Sequence, residues 1–295
     1  MANPILPTDG THELQERYAG AILKLLRKTN VLRNTAGRDY EGSPKAGAVK
    51  IPVRDTEVAI TDYDVVTGSP IGTSATEYLS VLVDKNKAIN ELIDGFEAQA
   101  VPDNVIAQRL DSGAYSLASI AEADFIEEIR TNAQIETNGT ILSASDAYSS
   151  ISASIGELLK IGIDINTIKV AITTDTENFL LADTKYTNTA SSIGSERAMD
   201  GVVNRIRGAE VFRSDKLGIG VNVGTDTAEN DIVEYLVYST DYAQAGDEWL
   251  VMPSINDLKD GVHIGASALQ GRWVYFNKLT RATGARVKRT TVADS

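Results

Sequence analysis

His12 and His263 are the only imidazoles in this 295-residue chain, and neither sits where one could do obvious chemistry. His12 is followed by Glu13, as in the helix of a zinc protease, but position 16 is Glu16 and the second imidazole is missing. With no cysteine anywhere, thiolate nucleophiles, thiolate metal sites and disulfides are excluded. Gly218, Gly220 and Gly224 are spaced one residue too widely for a dinucleotide fingerprint and follow no convincing helix start. No Walker loop and no Gly-x-Ser-x-Gly elbow are present. Thr174, Asp175, Thr176 and Glu177 resemble half of a metal loop, but an N-cap followed by acidic first-turn residues is the simpler account. Arg272–Lys278 interleaves aromatic and basic residues, which suits either nucleobase stacking or a core strand with solvated charges. These residues assign no catalytic group, no metal ligand and no cofactor.

The informative residues are acidic instead. Between Asp55 and Asp84 there is no Lys or Arg, while Asp55, Glu57, Asp62, Asp64, Glu77 and Asp84 all carry negative charge. Two alternating stretches, Ala48–Arg54 and Thr76–Val83, flank a middle containing Gly68, Ser69, Pro70 and Gly72, the pattern of a long hairpin. A two-stranded ribbon is too thin to bury a face alone. It therefore needs something to lie on, which points to assembly rather than catalysis. Net charge is −13, yet residues 1–54 hold nine Lys/Arg against five Asp/Glu, and residues 261–293 hold six basic residues and no acidic ones. Basic ends can bind nucleic acid, or surfaces of opposite sign can meet between copies of one chain. The acidic total favours the second.

A hydrophobic content of 42% is that of a globular protein, and the length allows one large domain or two ordinary ones. The first ten residues lack the basic stretch and apolar run of a secretory signal. No apolar run approaches the ~18–20 residues needed to cross a bilayer. The expected product is soluble, cytoplasmic and not membrane-bound.

The elements that must position these charges follow from periodicity. Thr11–Thr29 reads as an amphipathic helix, and residues 33–47 as a glycine-rich linker. The hairpin strands place Val49, Ile51 and Val53 on one face and Leu79, Val81 and Val83 on a matching one, with Pro52 suiting an edge. Asp103–Thr131 reads as the longest helix, with Ile106, Leu110, Ala114, Leu117, Ala121, Phe125 and Ile129 on one stripe. Gly113 interrupts it, and Ser112, Ser116, Ala118 and Ser119 suggest close packing against a sheet. Asn138–Gly139 marks a turn. Helices then follow at Asp146–Lys160, Asp175–Leu181 and Glu196–Arg205. Strands follow at Ile168–Thr173, Ala209–Arg213, Gly220–Val223 and Val233–Ser239, with strand-like alternation over 262–292.

This order of elements resembles the major capsid protein of tailed bacteriophages with the Hong Kong 97-type fold. Val49–Arg54 and Glu77–Asp84 correspond to the two ends of an extended loop, Asp103–Thr131 to a spine helix, and Gly201–Leu217 to the helix-turn-strand of an axial domain. The resemblance implies an α+β chain with an N-terminal arm (1–46), an extended β-hairpin loop (47–85), a peripheral domain with its spine helix (86–144 and 262–295) and an α/β axial domain (145–261). It implies a structural protein, not an enzyme, that self-assembles into pentamers and hexamers of an icosahedral phage head around double-stranded DNA, in the host cytoplasm. A cellular nanocompartment shell or another self-assembling phage protein is the alternative. Some members join a loop lysine to a neighbour's asparagine; residues 55–84 hold no lysine, so a non-covalent shell is expected. A separate scaffolding protein and a portal are expected partners, with packaged DNA contacted non-specifically. The expected inter-subunit contact sets Asp55, Glu57, Asp62, Asp64 and Glu77 against a basic surface. That surface is drawn from Arg27, Lys28, Arg33 and Arg38, or from Arg272, Lys278, Arg281, Arg286, Lys288 and Arg289.

Overall fold

The computed structural model describes residues 31–53, 60–71, 77–93, 105–136, 143–187, 205–214, 216–217, 231–258, 261–262 and 264–291. The expected helix over Thr11–Thr29 and strand over Gly220–Val223 lie outside them. So do the Asn138–Gly139 turn and residues 196–204 of another expected helix, whose last residue, Arg205, instead opens a strand.

The chain divides into two compact units. One comprises Lys28–Asn86, Ala118–Trp249 and Val274–Ser295. Its centre is a six-stranded mixed sheet in the order β4-β11-β8-β5-β7-β6. The strands are β4 (Gln134–Ile135), β5 (Ile168–Ile172), β6 (Arg205–Ile206), β7 (Ala209–Arg213), β8 (Asp231–Ser239) and β11 (Ala285–Thr291). Strands β5 and β8 are apolar on both sides because both faces are covered. Val170, Ile172, Tyr235 and Val237 enter one core with Ile151, Ile155 and Leu158 of helix α2 (Ala147–Lys160) and Leu180 of α3 (Thr174–Ala182). The alternate residues Ala171, Leu236 and Tyr238 enter a second core with Phe125, Ile126 and Ile129 of helix α1 (Val105–Asn132). Helix α2 ends as its sequence suggests, at Gly162 with φ of 92°. The N-cap of α3 is Thr173, whose Oγ1 accepts the Thr176 amide at 3.2 Å. Thr176 Oγ1 donates to the Glu234 carbonyl at 2.9 Å and Glu177 pairs with Arg213 at 3.2 Å, so the capping account of this stretch holds.

The same unit contains the hairpin base. Strands β1 (Ala48–Val53) and β2 (Glu77–Leu82) pair antiparallel, with Val49 opposite Val81 and Pro52 opposite Tyr78. Val49, Ile51 and Val81 are buried against Phe276, with Tyr40, Leu79 and Val83 around them. The ribbon's need for a support is thus met at its base by the subunit itself, which narrows the sequence argument for assembly to the tip.

The other unit comprises Met1–Arg27, Lys87–Leu117 and Leu250–Trp273. It takes parts of a three-stranded sheet, ordered β3-β10-β9, from β3 (Lys85–Ile93), β9 (Ala243–Asp257) and β10 (Ser267–Leu279). Here the expected packing of the long helix is corrected in part. Of the small residues expected to pack closely, Ser116 and Ala118 are exposed, whereas Ser112 and Ser119 are half-buried; Ala114, expected on the buried stripe, is exposed. The close approach occurs at Gly113, where a Cβ would lie 3.0 Å from Ile89 Cδ1 of β3. Among residues 111–132, whose side chains are described, the buried stripe of the helix includes Leu117, Ala121, Phe125 and Ile129 and adds Ile126; the expected Ile106 and Leu110 lie outside the described side chains. The strand-like alternation over 262–292 resolves into two strands, β10 and β11.

Candidate assembly surfaces

The loop tip is built around Asp64. Its Oδ1 accepts the backbone N–H groups of Val66 at 2.6 Å and Thr67 at 3.0 Å, and its carbonyl accepts the Gly68 amide at 2.9 Å. This Asx-type turn closes because Gly68 adopts φ of 73°, a conformation other residues resist. The amides of Thr67 and Val66 hold the Asp64 carboxyl below its ordinary pKa. Thr61 and Ser69 hydroxyls bridge the two sides at 2.5 Å. Asp62, Asp64 and Glu77 are all exposed, as the charge pattern requires; Asp55 and Glu57 lie outside the described residues.

The tip is also strongly apolar, a feature that the charge argument passed over. Ile60, Val65, Val66 and Ile71 are 97, 88, 92 and 96% exposed, and Tyr63 is 74% exposed. Exposed apolar side chains this dense are uncommon on a soluble monomer. Its signal was present in the sequence as apolar residues between the acids.

The basic residues do not form one surface. Arg33 has a side chain 10% exposed, donates to Asp247 and Asn277 at 3.1 Å each and to the Gly246 carbonyl at 3.2 Å, and lies over the Tyr275 ring. Lys288 is 1% exposed, and Arg286 is paired with Glu136 at 3.8 Å. Lys278 is half-buried beside Glu128 at 2.9 Å. These side chains serve the subunit's own interior. Arg281 and Arg289 are half-buried, whereas Arg38, with a side chain 64% exposed, and Arg272 face outward. Arg27 and Lys28 lie outside the described residues. The aromatic residues interleaved with Arg272 and Lys278 are core: Trp273, Tyr275 and Phe276 are buried at 7, 0 and 1% exposure. They offer no stacking platform. Among the described residues, no group of three His, Asp or Glu side chains gathers as a metal site would require.

The fold is the one found in solved phage capsid chains. The chain aligns with a Mycobacterium phage Che8 chain over 98% of each, with a TM-score of 0.73 and 19% identity. It matches a structure described as the capsid of Cyanophage P-SCSP1u with a TM-score of 0.74, over 95% of this chain and 93% of that one, at 13% identity. It also matches the asymmetric unit of the bacteriophage PhiM1 mature capsid with a TM-score of 0.69, over 95% and 92%, at 13% identity. No protein-family model and no curated protein matches the sequence.

Proposed function

We propose that this chain is the major capsid protein of a tailed phage, a structural subunit that assembles with identical copies into the shell of the phage head. The observation that carries this reading is agreement in fold with phage capsid chains over almost the whole length of both partners. A projecting apolar loop supports it, because a soluble monomer gains nothing by exposing Ile60, Val66 and Ile71.

In this reading residues 1–46 are the arm, 47–85 the extended loop, 86–144 with 262–295 the peripheral domain and 145–261 the axial domain. One heterologous interface repeated around an axis closes hexamers and pentamers. The loop tip rests on a neighbour and buries its apolar residues there, with Asp62, Asp64 and Glu77 near outward-facing cations such as Arg38 and Arg272. The shell is non-covalent, is built in the host cytoplasm with separate scaffolding and portal proteins, and contacts packaged DNA without sequence preference. Size-exclusion chromatography and negative-stain microscopy of the purified chain test the reading. Closed shells or capsomer rings support it; a monomer at high concentration under every ionic condition refutes it.

A further inference from the structure

Arg207 holds a backbone conformation that arginine disfavours. Strands β6 and β7 pair Ile206 with Ala209, which leaves Arg207 and Gly208 as a two-residue turn. Both take positive φ, 53° and 96°, as the tight hairpin turns that match strand twist require. Glycine does so freely and asparagine readily. Among the described residues Arg207 is the one non-glycine with positive φ. Opposite it, Gly156 lies in the interior of α2, where glycine is a poor helix former. The two meet. Arg207 Nη1 donates to the Ser152 carbonyl at 2.9 Å, and a Cβ on residue 156 would lie 2.9 Å from that same nitrogen. The missing side chain lets the guanidinium lie across the helix. Two choices that each oppose local stability thus serve one placement, which marks a position kept for another purpose.

The guanidinium borders an open concavity of about 440 Å³, lined also by Ala153, Gly156, Glu157, Leu159 and Lys160. Its charge is unanswered, unlike that of its neighbours. Lys160 meets Glu157 at 2.6 Å, and Lys169 meets Glu210 at 2.6 Å. Arg205 meets Glu210 at 3.8 Å, and Arg213 meets Glu177 at 3.2 Å. Among the described residues no carboxylate pairs with Arg207, although residues 145–261 carry 19 acidic side chains against nine basic ones. A guanidinium presents five N–H donors, and the Ser152 carbonyl engages Nη1 alone.

We propose that this concavity receives an Asp or Glu side chain from a second copy of the chain, with Arg207 donating to its carboxylate. The inference rests on the shell-forming role above and names one contact within it. A protein carboxylate suits the site better than a nucleic-acid backbone. Glu157 and the acidic excess around it repel a polyanion, whereas a single carboxylate meets a guanidinium in a planar geometry with two parallel hydrogen bonds. With 41 acidic side chains against 28 basic ones, copies of this chain are themselves a ready source of the carboxylate.

Two measurements on the full chain test this. Arg207→Asn gives the turn a residue it prefers and deletes the guanidinium; Gly156→Ala favours the helix and displaces the guanidinium. In both, the denaturant midpoint of the unassembled subunit should hold or rise. The subunit concentration needed to form particles should climb about ten- to hundredfold, the range for one lost charge-assisted contact. Arg207→Lys keeps the charge and supplies an amine. Carbodiimide treatment of its particles, grown from mixed isotope-labelled and unlabelled subunits, should join position 207 to an Asp or Glu of another copy, as read by mass spectrometry. Particles without such an intermolecular link, or an unchanged threshold in both Arg207→Asn and Gly156→Ala, overturn the contact and leave the proposed shell standing. A fall in the midpoint of both variants assigns Arg207 to the subunit's own stability and overturns it too. A wild type that forms no particles overturns both the contact and the shell.

Discussion

The two ends of one hairpin meet opposite fates. At its base, Val49, Ile51 and Val81 are 1, 3 and 7% exposed, seated on Phe276 of the same subunit. At its tip, Ile60, Val66 and Ile71 are more than nine-tenths exposed. Similar aliphatic side chains occupy both ends, so hydrophobicity alone does not explain the difference. The base has a partner in its own chain, and the tip has a preformed turn, fixed by Asp64, with nothing described beneath it. In the proposed reading, the tip is the part of the subunit that another copy covers.

That contrast can be broken most forcefully at the base. Phe276→Ala removes the floor of the hairpin and the edge-on contact with Tyr40 at 5.1 Å, and should cost the subunit about 3–5 kcal/mol in denaturant unfolding. Replacing Ile60, Val66 and Ile71 together by Ser should do the reverse. Subunit stability should stay within about 0.5 kcal/mol. Particle yield should collapse, since each aliphatic side chain buried at an interface contributes roughly 1.5–3 kcal/mol. Unfolding of the triple variant, or normal yield from it, would erase the distinction between base and tip.

Charge should matter less. Asp62→Lys leaves the Asp64 turn intact and should slow assembly at low salt by removing a contact of about 0–1 kcal/mol per subunit. The gap from wild type should close near 1 M salt, where the Debye length is about 3 Å; light scattering during assembly reads both. The smallest effect concerns pH. Asp64 is held below its ordinary pKa by the Thr67 and Val66 amides, so the turn is favoured above the unfolded value of about 3.9 and weakens only as pH falls through the depressed one. Amide shifts of Val66 and Thr67 should therefore be constant from pH 8 to 5 and move only below about pH 4. A transition near neutrality would mean that the carboxylate is not the acceptor.

Much of this architecture was legible because local pattern and tertiary role agreed. The hairpin strands, the long helix, α2 with its glycine stop and strand β7 fall within a residue or two of their expected bounds. Strands β3 and β9 escaped notice for a shared reason. Residues 85–90 alternate only between exposed and half-buried, and residues 250–257 of β9 are almost wholly exposed, so neither carries the apolar period that burial of one face imposes. The site was half legible. Acidic exposure at the tip followed from composition, whereas Arg33 joins Asp247 across 214 residues of chain, a pairing that no local pattern encodes. Lys288 reads as a surface charge in any strand pattern, yet it is buried beside a register shift between Lys288 and Arg289.

A cryo-electron microscopy reconstruction of the particles formed by the purified chain bears most directly on the claim that this subunit is completed by its copies. The account predicts a closed shell of repeated subunits in which Ile60, Tyr63, Val66 and Ile71 are covered by a neighbouring copy. A shell in which that tip stands bare in solvent, or the absence of any ordered particle, would contradict it.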